Sequence, residues 1–347
     1  MDNSSPRNAR TVVVGGGTMG ADVAVVLARG GAQVTVVDPH AARRDHVLPH
    51  IAQELAAAGQ VTHAGPVQVC ASLQDVDWSG VVLVVECITE QLAAKQKLFA
   101  ELEAVAPLNA VLASNSSGFP ISAIAQGLAT AQRMLGLHFF MPAHLVPLVE
   151  VVLGVRSDPA LGTWLHAFMR GCGSVPVLVK KDKPGFLANR MQHALSREAF
   201  ALIDEGIASP EDVDAAVRFG FGFRFLAAGP VLQRDHAGIE VHTAAAATMY
   251  PTLSNTDVPA QALRDKVAQG TLGMKTGKGF FDWPDDRKQA ERARYHAPLR
   301  HRLALLETDA HAQGFDRPFR ARRTPSSRAA AGRFPAVDLA AGHGQAQ

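Results

Sequence analysis

A short apolar run, Thr11-Val12-Val13-Val14, passes at once into Gly15-Gly16-Gly17-Thr18-Met19-Gly20 and then into an apolar stretch, Ala21–Arg29, that reads as a helix. No other feature restricts the fold of this chain as much. Glycines at G-x-G-x-x-G spacing carry little meaning alone, but between a buried strand and a helix they form the first turn of a βαβ unit. Gly15 makes the tight turn, Gly17 lets the backbone approach a ligand, and Gly20 lets helix and strand pack closely. A second strand, Val34–Val37, ends on Asp38, 18 residues beyond Gly20. An acid at that place accepts hydrogen bonds from a ribose diol and repels a 2′-phosphate. The pattern therefore predicts NAD, not NADP, held by Gly15, Gly17, Thr18, Met19, Gly20 and Asp38, with its pyrophosphate at the helix N-terminus. Arg43 and Arg44 follow closely and read as a solvated first helical turn.

The alternation continues. Val81–Val85 and Ala110–Ala113 are further apolar runs without polar alternation, as strands covered on both faces should be. Val175–Val179 reads as an edge strand, because Pro176 cannot donate to a ladder. With helices such as Ala94–Ala104 between them, these strands predict a parallel, doubly wound Rossmann sheet over residues 8–182. After Pro184 strand signals disappear. Leu187–Gly206, Pro210–Phe219 and Val258–Gly270 read as helices, the second opened by Ser209-Pro210-Glu211-Asp212, a capping serine followed by proline and acids. Residues 183–306 are thus expected to form an all-helical domain, closing with a basic helix over Asp286–Leu306. Residues 318–347, rich in Arg, Ala, Gly and Pro, are expected to be a disordered tail.

A net charge of +2 over 347 residues gives no field suited to nucleic acid. The apolar runs are too short for a membrane span, and Met1–Arg10 has no apolar signal core, so a cytoplasmic protein is expected. The three cysteines, Cys70, Cys87 and Cys172, lack metal-ligand spacing and read as reduced thiols; no metal is expected.

A second group of polar residues follows the strand at Ala110–Ala113. Ser114-Asn115-Ser116-Ser117 emerges at its C-terminal end, the edge where open α/β sheets bind ligands. His138 lies in the apolar run Gly136–Phe140, Glu150 ends Leu148-Val149-Glu150, and Asn189 sits where the helical region opens. Each alone has an ordinary structural explanation. Together they suit alcohol oxidation, which needs a base for the hydroxyl proton while hydride leaves carbon. A carboxylate on the far imidazole nitrogen fixes the tautomer, and a serine hydroxyl and an asparagine amide orient substrate oxygens.

At these residues the chain resembles the L-3-hydroxyacyl-CoA dehydrogenase family. The resemblance runs from Thr11 to about Trp283 and also takes in Val85-Glu86-Cys87-Ile88-Thr89-Glu90, Asp182-Lys183-Pro184-Gly185-Phe186 and Gly273-Met274-Lys275-Thr276-Gly277-Lys278-Gly279-Phe280. It implies that His138 is the base, Glu150 its partner, and Ser117 and Asn189 the substrate-positioning groups. It further implies that Glu90, Lys95, Ser117 and Lys275 approach the cofactor, and that the helical domain forms a homodimer. Met141 stands where the family commonly has asparagine. The stretch Phe221-Gly222-Phe223-Arg224 is more like the branch of hydroxybutyryl-CoA, carnitine and gulonate dehydrogenases. Arg224 suits a substrate carboxylate, a CoA phosphate or a plain surface position. The leading expectation is NAD-dependent oxidation of an L-3-hydroxyacyl-CoA. The alternatives are a dehydrogenase of a free 3-hydroxy acid or hydroxylated heterocycle, and a catalytically silent NAD-binding protein.

Overall fold

The computed structural model describes residues 4–313; the expected tail at 318–347 lies outside them. The described residues up to Leu303 pack as one compact unit. The strands are β1 (Arg10–Val14), β2 (Gln33–Val37), β3 (Val67–Cys70), β4 (Val81–Glu86), β5 (Val111–Ser114), β6 (Met134–Phe139), β7 (Leu148–Leu153) and β8 (Val175–Val179). They form one sheet in the order β3-β2-β1-β4-β5-β6-β7-β8. Packed between and around them are α1 (Thr18–Arg29), α2 (Ala41–Ala57), α3 (Leu92–Val105), the single turn α4 (Ile121–Ile124) and α5 (Pro159–Gly171).

The valine-rich centre of the sheet is fully covered: Val12, Val13, Leu83, Val84, Leu112 and Leu135 are all buried. Each such side chain contributes on the order of 1.5–3 kcal/mol by leaving water. Helix α1 is buried from Gly20 to Ala28, which fits a helix lying flat on the sheet. Two distinct core clusters, one on each face, complete the doubly wound arrangement.

The sheet is not wholly parallel, as the strand–helix alternation had suggested. β6 and β7 pair antiparallel, with His138 directly opposite Glu150. The reason is chain length: residues 140–147 are too few for a parallel crossover, which takes about a dozen or more, but suffice for a reversal. β8 lies at the edge as expected, Pro176 opposite Val149.

Beyond β8 the described elements are helices: α6 (Ala188–Asp204), α7 (Pro210–Ala215), a π-turn at Ala216–Phe221, α8 (Gly222–Arg224), α9 (Pro230–Ala237), α10 (Ile239–Met249), α11 (Gln261–Ala268) and α12 (Asp285–Gln313). Ser209 caps α7, its hydroxyl accepting the Asp212 N–H at 3.1 Å. Helix α6 is 17 residues long and none of its residues is buried. No helix among the described residues is long and apolar enough to cross a membrane.

Candidate active site

The glycine loop has the properties a dinucleotide needs. Gly15 has φ +106, and a Cβ there would stand 2.7 Å from the Cys87 carbonyl oxygen. A Cβ on Gly20 would stand 1.7 Å from the Gly15 carbonyl oxygen, so helix and loop touch backbone to backbone. A Cβ on Gly17 would meet no atom within 4 Å. Gly17 therefore borders open space at the start of α1, where no side chain caps the helix and no acid occupies the first turn. Free N–H groups and the helix dipole there favour an anion.

Asp38 is buried beside this loop. Its Oδ2 accepts the Gly16 N–H at 2.8 Å and its Oδ1 the His40 N–H at 2.8 Å. Burial would push the carboxyl up, but the His40 and Gly16 amides, the His40 ring and the Arg43 guanidinium outweigh it and hold the carboxyl below its usual range. Arg43 and Arg44 are not simply solvated: Arg43 Nη1 lies 3.5 Å from Asp38 Oδ2, and Arg44 donates to the carbonyls of Asp38 and Pro39. An open cradle beside an ionised acid and an uncapped helix start fit NAD.

At the ends of β4 and β5 an ion-pair chain, buried at Glu86 and Lys95 and exposed at Glu90, organises the serine loop. Glu86 is wholly buried; its Oε1 accepts the Ile88 N–H at 2.7 Å and the Lys95 ammonium at 2.6 Å, and its Oε2 the Ser114 hydroxyl at 2.5 Å. Lys95 Nζ also lies 3.2 Å from Glu90 Oε2. Glu90 Oε1 in turn accepts the Ser116 hydroxyl at 2.6 Å, the Ser117 N–H at 3.1 Å and the Gly118 N–H at 2.8 Å. Burial would raise the Glu90 carboxyl, yet these donors and Lys95 keep it below its usual value. Asn115 Oδ1 accepts the Phe139 N–H at 2.9 Å, pinning the loop to β6.

The loop so held presents Ser117 to His138, with Oγ 3.0 Å from Nε2. On the other side His138 Nδ1 lies 2.8 Å from Glu150 Oε2. With the carboxylate accepting the Nδ1 proton, Nε2 carries the lone pair, and the Ser117 hydroxyl donates to it. The second Glu150 oxygen accepts the Leu187 and Ala188 N–H groups at 3.1 and 2.8 Å, which ties it to the start of α6. Phe140 and Phe186 pack edge-on against the imidazole, at 4.6 and 5.5 Å between ring centres. Such a relay can move a proton to or from a group replacing the Ser117 hydroxyl at Nε2.

Asn189, the next residue after Ala188, lines a groove of about 960 Å³ with Gly185, Arg190, His193, Arg197 and Arg264. Its amide makes no hydrogen bond within the described chain. The structure thus brings Ser117, His138 and Glu150 together, and Glu90 with Lys95 behind them. The side chains of Arg224 and Lys275 are exposed and form no hydrogen bond or ion pair with any described residue. Met141 is also exposed. Sequence reading gave no role to Glu86, Asn115 or Ser116. For Glu86 a signal existed, a lone acid closing the apolar run Val81–Val85.

Residues 10–183 match the family described as 3-hydroxyacyl-CoA dehydrogenase, NAD binding domain, and residues 185–283 match its C-terminal domain. The 5-formyl-3-hydroxy-2-methylpyridine 4-carboxylate 5-dehydrogenase of Mesorhizobium japonicum is 34% identical over 290 residues, covering 81% of this chain and 94% of the relative. A crystal structure of an enzyme of that name, an NAD+-dependent dismutase, superposes with a TM-score of 0.82 at 31% identity, over 86% of this chain and 98% of the other. That of the (S)-3-hydroxybutyryl-CoA dehydrogenase from Ralstonia eutropha superposes with a TM-score of 0.64 at 28% identity, over 80% and 99%.

Proposed function

The chain belongs to the 3-hydroxyacyl-CoA dehydrogenase family and is an NAD-dependent dehydrogenase; from that premise we propose that its substrate is a small free carboxylate bearing an oxidisable hydroxyl or hydrated aldehyde. The observation that carries the reaction is the relay Ser117–His138–Glu150. His138 Nε2 takes the substrate hydroxyl proton, and the Glu150 carboxylate stabilises the imidazolium that results. Ser117 turns its hydroxyl onto the substrate oxygen, and Asn189 orients the same group from the groove. NAD, when bound, accepts the hydride. A hydrated aldehyde offers the same pair of C–H and O–H bonds, so one relay serves either substrate. In the reverse direction the imidazolium returns the proton.

Gly15, Gly17, Thr18, Met19, Gly20 and Asp38 hold the adenosine and pyrophosphate half of NAD. Glu90 and Lys95 set the loop beside its nicotinamide, with Lys275 reaching in from the helical region. In this reading residues 8–182 form the cofactor domain and 183–306 the substrate and dimerisation domain. Phe219, Val231 and Ile239 are well exposed, at 74%, 79% and 62%. So much uncovered apolar side chain on the helical part supports a homodimer formed through it.

A free acid is favoured over acyl-CoA by two observations. The fold is closer to the heterocyclic-acid enzyme (TM-score 0.82) than to the hydroxybutyryl-CoA enzyme (0.64). The guanidinium of Arg44 on α2 is bound to backbone carbonyls and that of Arg43 leans on Asp38, and α2 contains no lysine to hold a CoA phosphate. The size and basic lining of the groove support the acyl-CoA reading, which stands second. Following NADH with pyridine and benzene carboxylates bearing a hydroxymethyl or formyl group, beside acetoacetyl-CoA, separates the two. Turnover of the acids alone is expected; turnover of acetoacetyl-CoA alone reverses the assignment. His138→Gln should abolish turnover while NADH still binds; loss of both would remove His138 from the base role.

A further inference from the structure

A second cluster of ligand-type side chains lies outside the relay. Asp22 belongs to α1, His50 to α2, and His144 to the segment between β6 and β7. His50 Nε2 lies 2.8 Å and His144 Nδ1 2.9 Å from Asp22 Oδ1, and the three donor atoms all fall within 4.8 Å of one another. Asp22 and His144 are buried, at 1% and 7% exposure, and His50 is partly open. We propose that Asp22, His50 and His144 form a binding site for a divalent transition-metal ion of the Zn2+ class.

Three observations lead there. The first is the donor set: two imidazole nitrogens and one carboxylate oxygen are ligands that Zn2+ takes, commonly with one position left for water. The second is His144 itself. Both its ring nitrogens are buried, and although carboxylate oxygens lie 2.9 and 3.1 Å away, neither contact has the direction of an N–H···O bond. Buried nitrogens without a directed partner are uncommon in folded proteins, and an ion would give Nδ1 one. The third is the surroundings. Glu54 Oε2 stands 3.1 Å from His144 Nε2 and is itself held by Arg300 at 2.6 Å, while Asp22 Oδ2 accepts the Ala143 N–H at 2.9 Å. A carboxylate fixed by its own partner is what a zinc-ligating histidine usually donates its other ring N–H to, and Glu54 is placed to take that bond once the His144 ring turns toward an ion.

Asp22 Oδ1 sits closer to each imidazole nitrogen than it would around a bound ion. Tetrahedral bonds of about 2.0–2.1 Å place ligand atoms roughly 3.3 Å apart, so small side-chain rotations would open the site. His46 is exposed, one helical turn before His50 with ring centres 5.5 Å apart, which gives an approach from solvent and a further candidate ligand. The three residues are scattered along the chain, and for that reason no metal spacing is visible in the sequence. A bound ion would join the segment after β6 to the helix that opens the cofactor site.

The test uses the full chain, stripped with a chelator and titrated with Zn2+ alone against a chromophoric competitor, with Co2+ as a spectroscopic substitute. One saturable equivalent per chain is expected, with visible Co2+ bands of a four-coordinate N/O site and a raised melting temperature. His50→Gln, at a partly exposed position, and Asp22→Asn should remove that equivalent, and Glu54→Gln should weaken it by about 10–100-fold. His63→Gln, on an exposed histidine elsewhere, should leave it intact. Far-UV circular dichroism checks folding; if Asp22→Asn unfolds, His50→Gln decides. Equal Zn2+ uptake by wild type and His50→Gln, or no saturable equivalent at all, overturns the proposal and leaves the cluster a histidine–carboxylate ion-pair network.

Discussion

Gly17 and Gly20 are three residues apart in one loop, yet alanine at each should fail in a different way. Gly17 has φ −71 and ψ −172, a conformation alanine adopts freely, and a Cβ there meets no protein atom within 4 Å. As the residue before α1 it would lose up to about 1 kcal/mol, because alanine is a poorer N-cap than glycine. Restricting the unfolded chain returns about 0.4–1 kcal/mol. Gly17→Ala should therefore unfold within about 0.5 kcal/mol of wild type. The new methyl group occupies the space assigned to the pyrophosphate, and one misplaced carbon in a fitted site costs about 1–3 kcal/mol, or roughly 10–200-fold. NADH affinity should fall by that factor with the urea midpoint of the apo protein unchanged. Gly20→Ala puts its Cβ 1.7 Å from one backbone oxygen and 2.9 Å from the adjoining carbon, neither of which can rotate away. Helix and loop must separate, so stability falls by about 1–3 kcal/mol or more, and affinity falls with it. NADH fluorescence titration and urea unfolding on the three proteins measure both quantities. Wild-type affinity in a stably folded Gly17→Ala would refute the path of the pyrophosphate over Gly17.

Glu150→Gln should present its carbonyl to the Leu187 and Ala188 N–H groups and its NH2 to His138 Nδ1, which drives the imidazole to the tautomer protonated at Nε2. Turnover should drop by about 10²–10⁴-fold with NADH affinity intact, and an unaltered pH–rate profile would remove Glu150 from the relay. Glu90 is held below its ordinary 4.5, so its contribution to stability is complete above that pH and lost as pH falls through the lower folded value. Urea midpoints of wild type and Glu90→Gln should converge as the solution is acidified; a gap that widens in acid would contradict the assignment. Ser209→Ala should cost about 1 kcal/mol through the lost cap of α7, read as a shift in urea midpoint without a change in slope.

What the sequence made legible followed from strong local physics. Glycine at Gly15 and Gly20 answers steric demands that no other residue meets, and valine runs covered on both faces look alike in sequence and structure. The reach of Ser117, His138 and Glu150 toward one point rested on resemblance, because spacing along the chain says nothing about which strands are neighbours. The β6–β7 reversal, which sets His138 opposite Glu150, depends on a short connection whose meaning appears only once both strands are assigned. Arg43 and Arg44 marked the first turn of α2, but its extent to Ala57 was not legible, because Pro49 lies inside it and its apolar stripe is sparse, with Val47, Ile51 and Leu55 its buried apolar residues. Arg43 and Arg44 look like solvated charges until the turn after Asp38 brings carbonyls and a carboxylate within reach. The Glu86–Lys95–Glu90 chain was hidden for a related reason: a lysine in a helix is ordinarily a surface residue, and only the fold reveals that this one is 1% exposed.

Glu150 connects these observations. A carboxylate at 0% exposure is costly unless its oxygens are satisfied, and here they take three donors: one imidazole N–H and two backbone N–H groups. The backbone pair exists because the chain turns sharply just before α6, where Gly185 (φ +75) and Phe186 (φ +49) both occupy the left-handed region. Successive N–H groups beyond such a turn form a concave anion site. A non-glycine residue there is strained by about 1–3 kcal/mol; the Phe186 ring offsets this by packing, buried, against His138. One acid therefore orients the imidazole on one side and anchors the start of the helical region on the other. The segment that carries Asn189 into the groove is the same one that completes the carboxylate's hydrogen bonds. Displacing the start of α6 would withdraw two of the three donors from Glu150 and with them the setting of His138, so the position of the first helix after the sheet and the readiness of the base are a single structural variable.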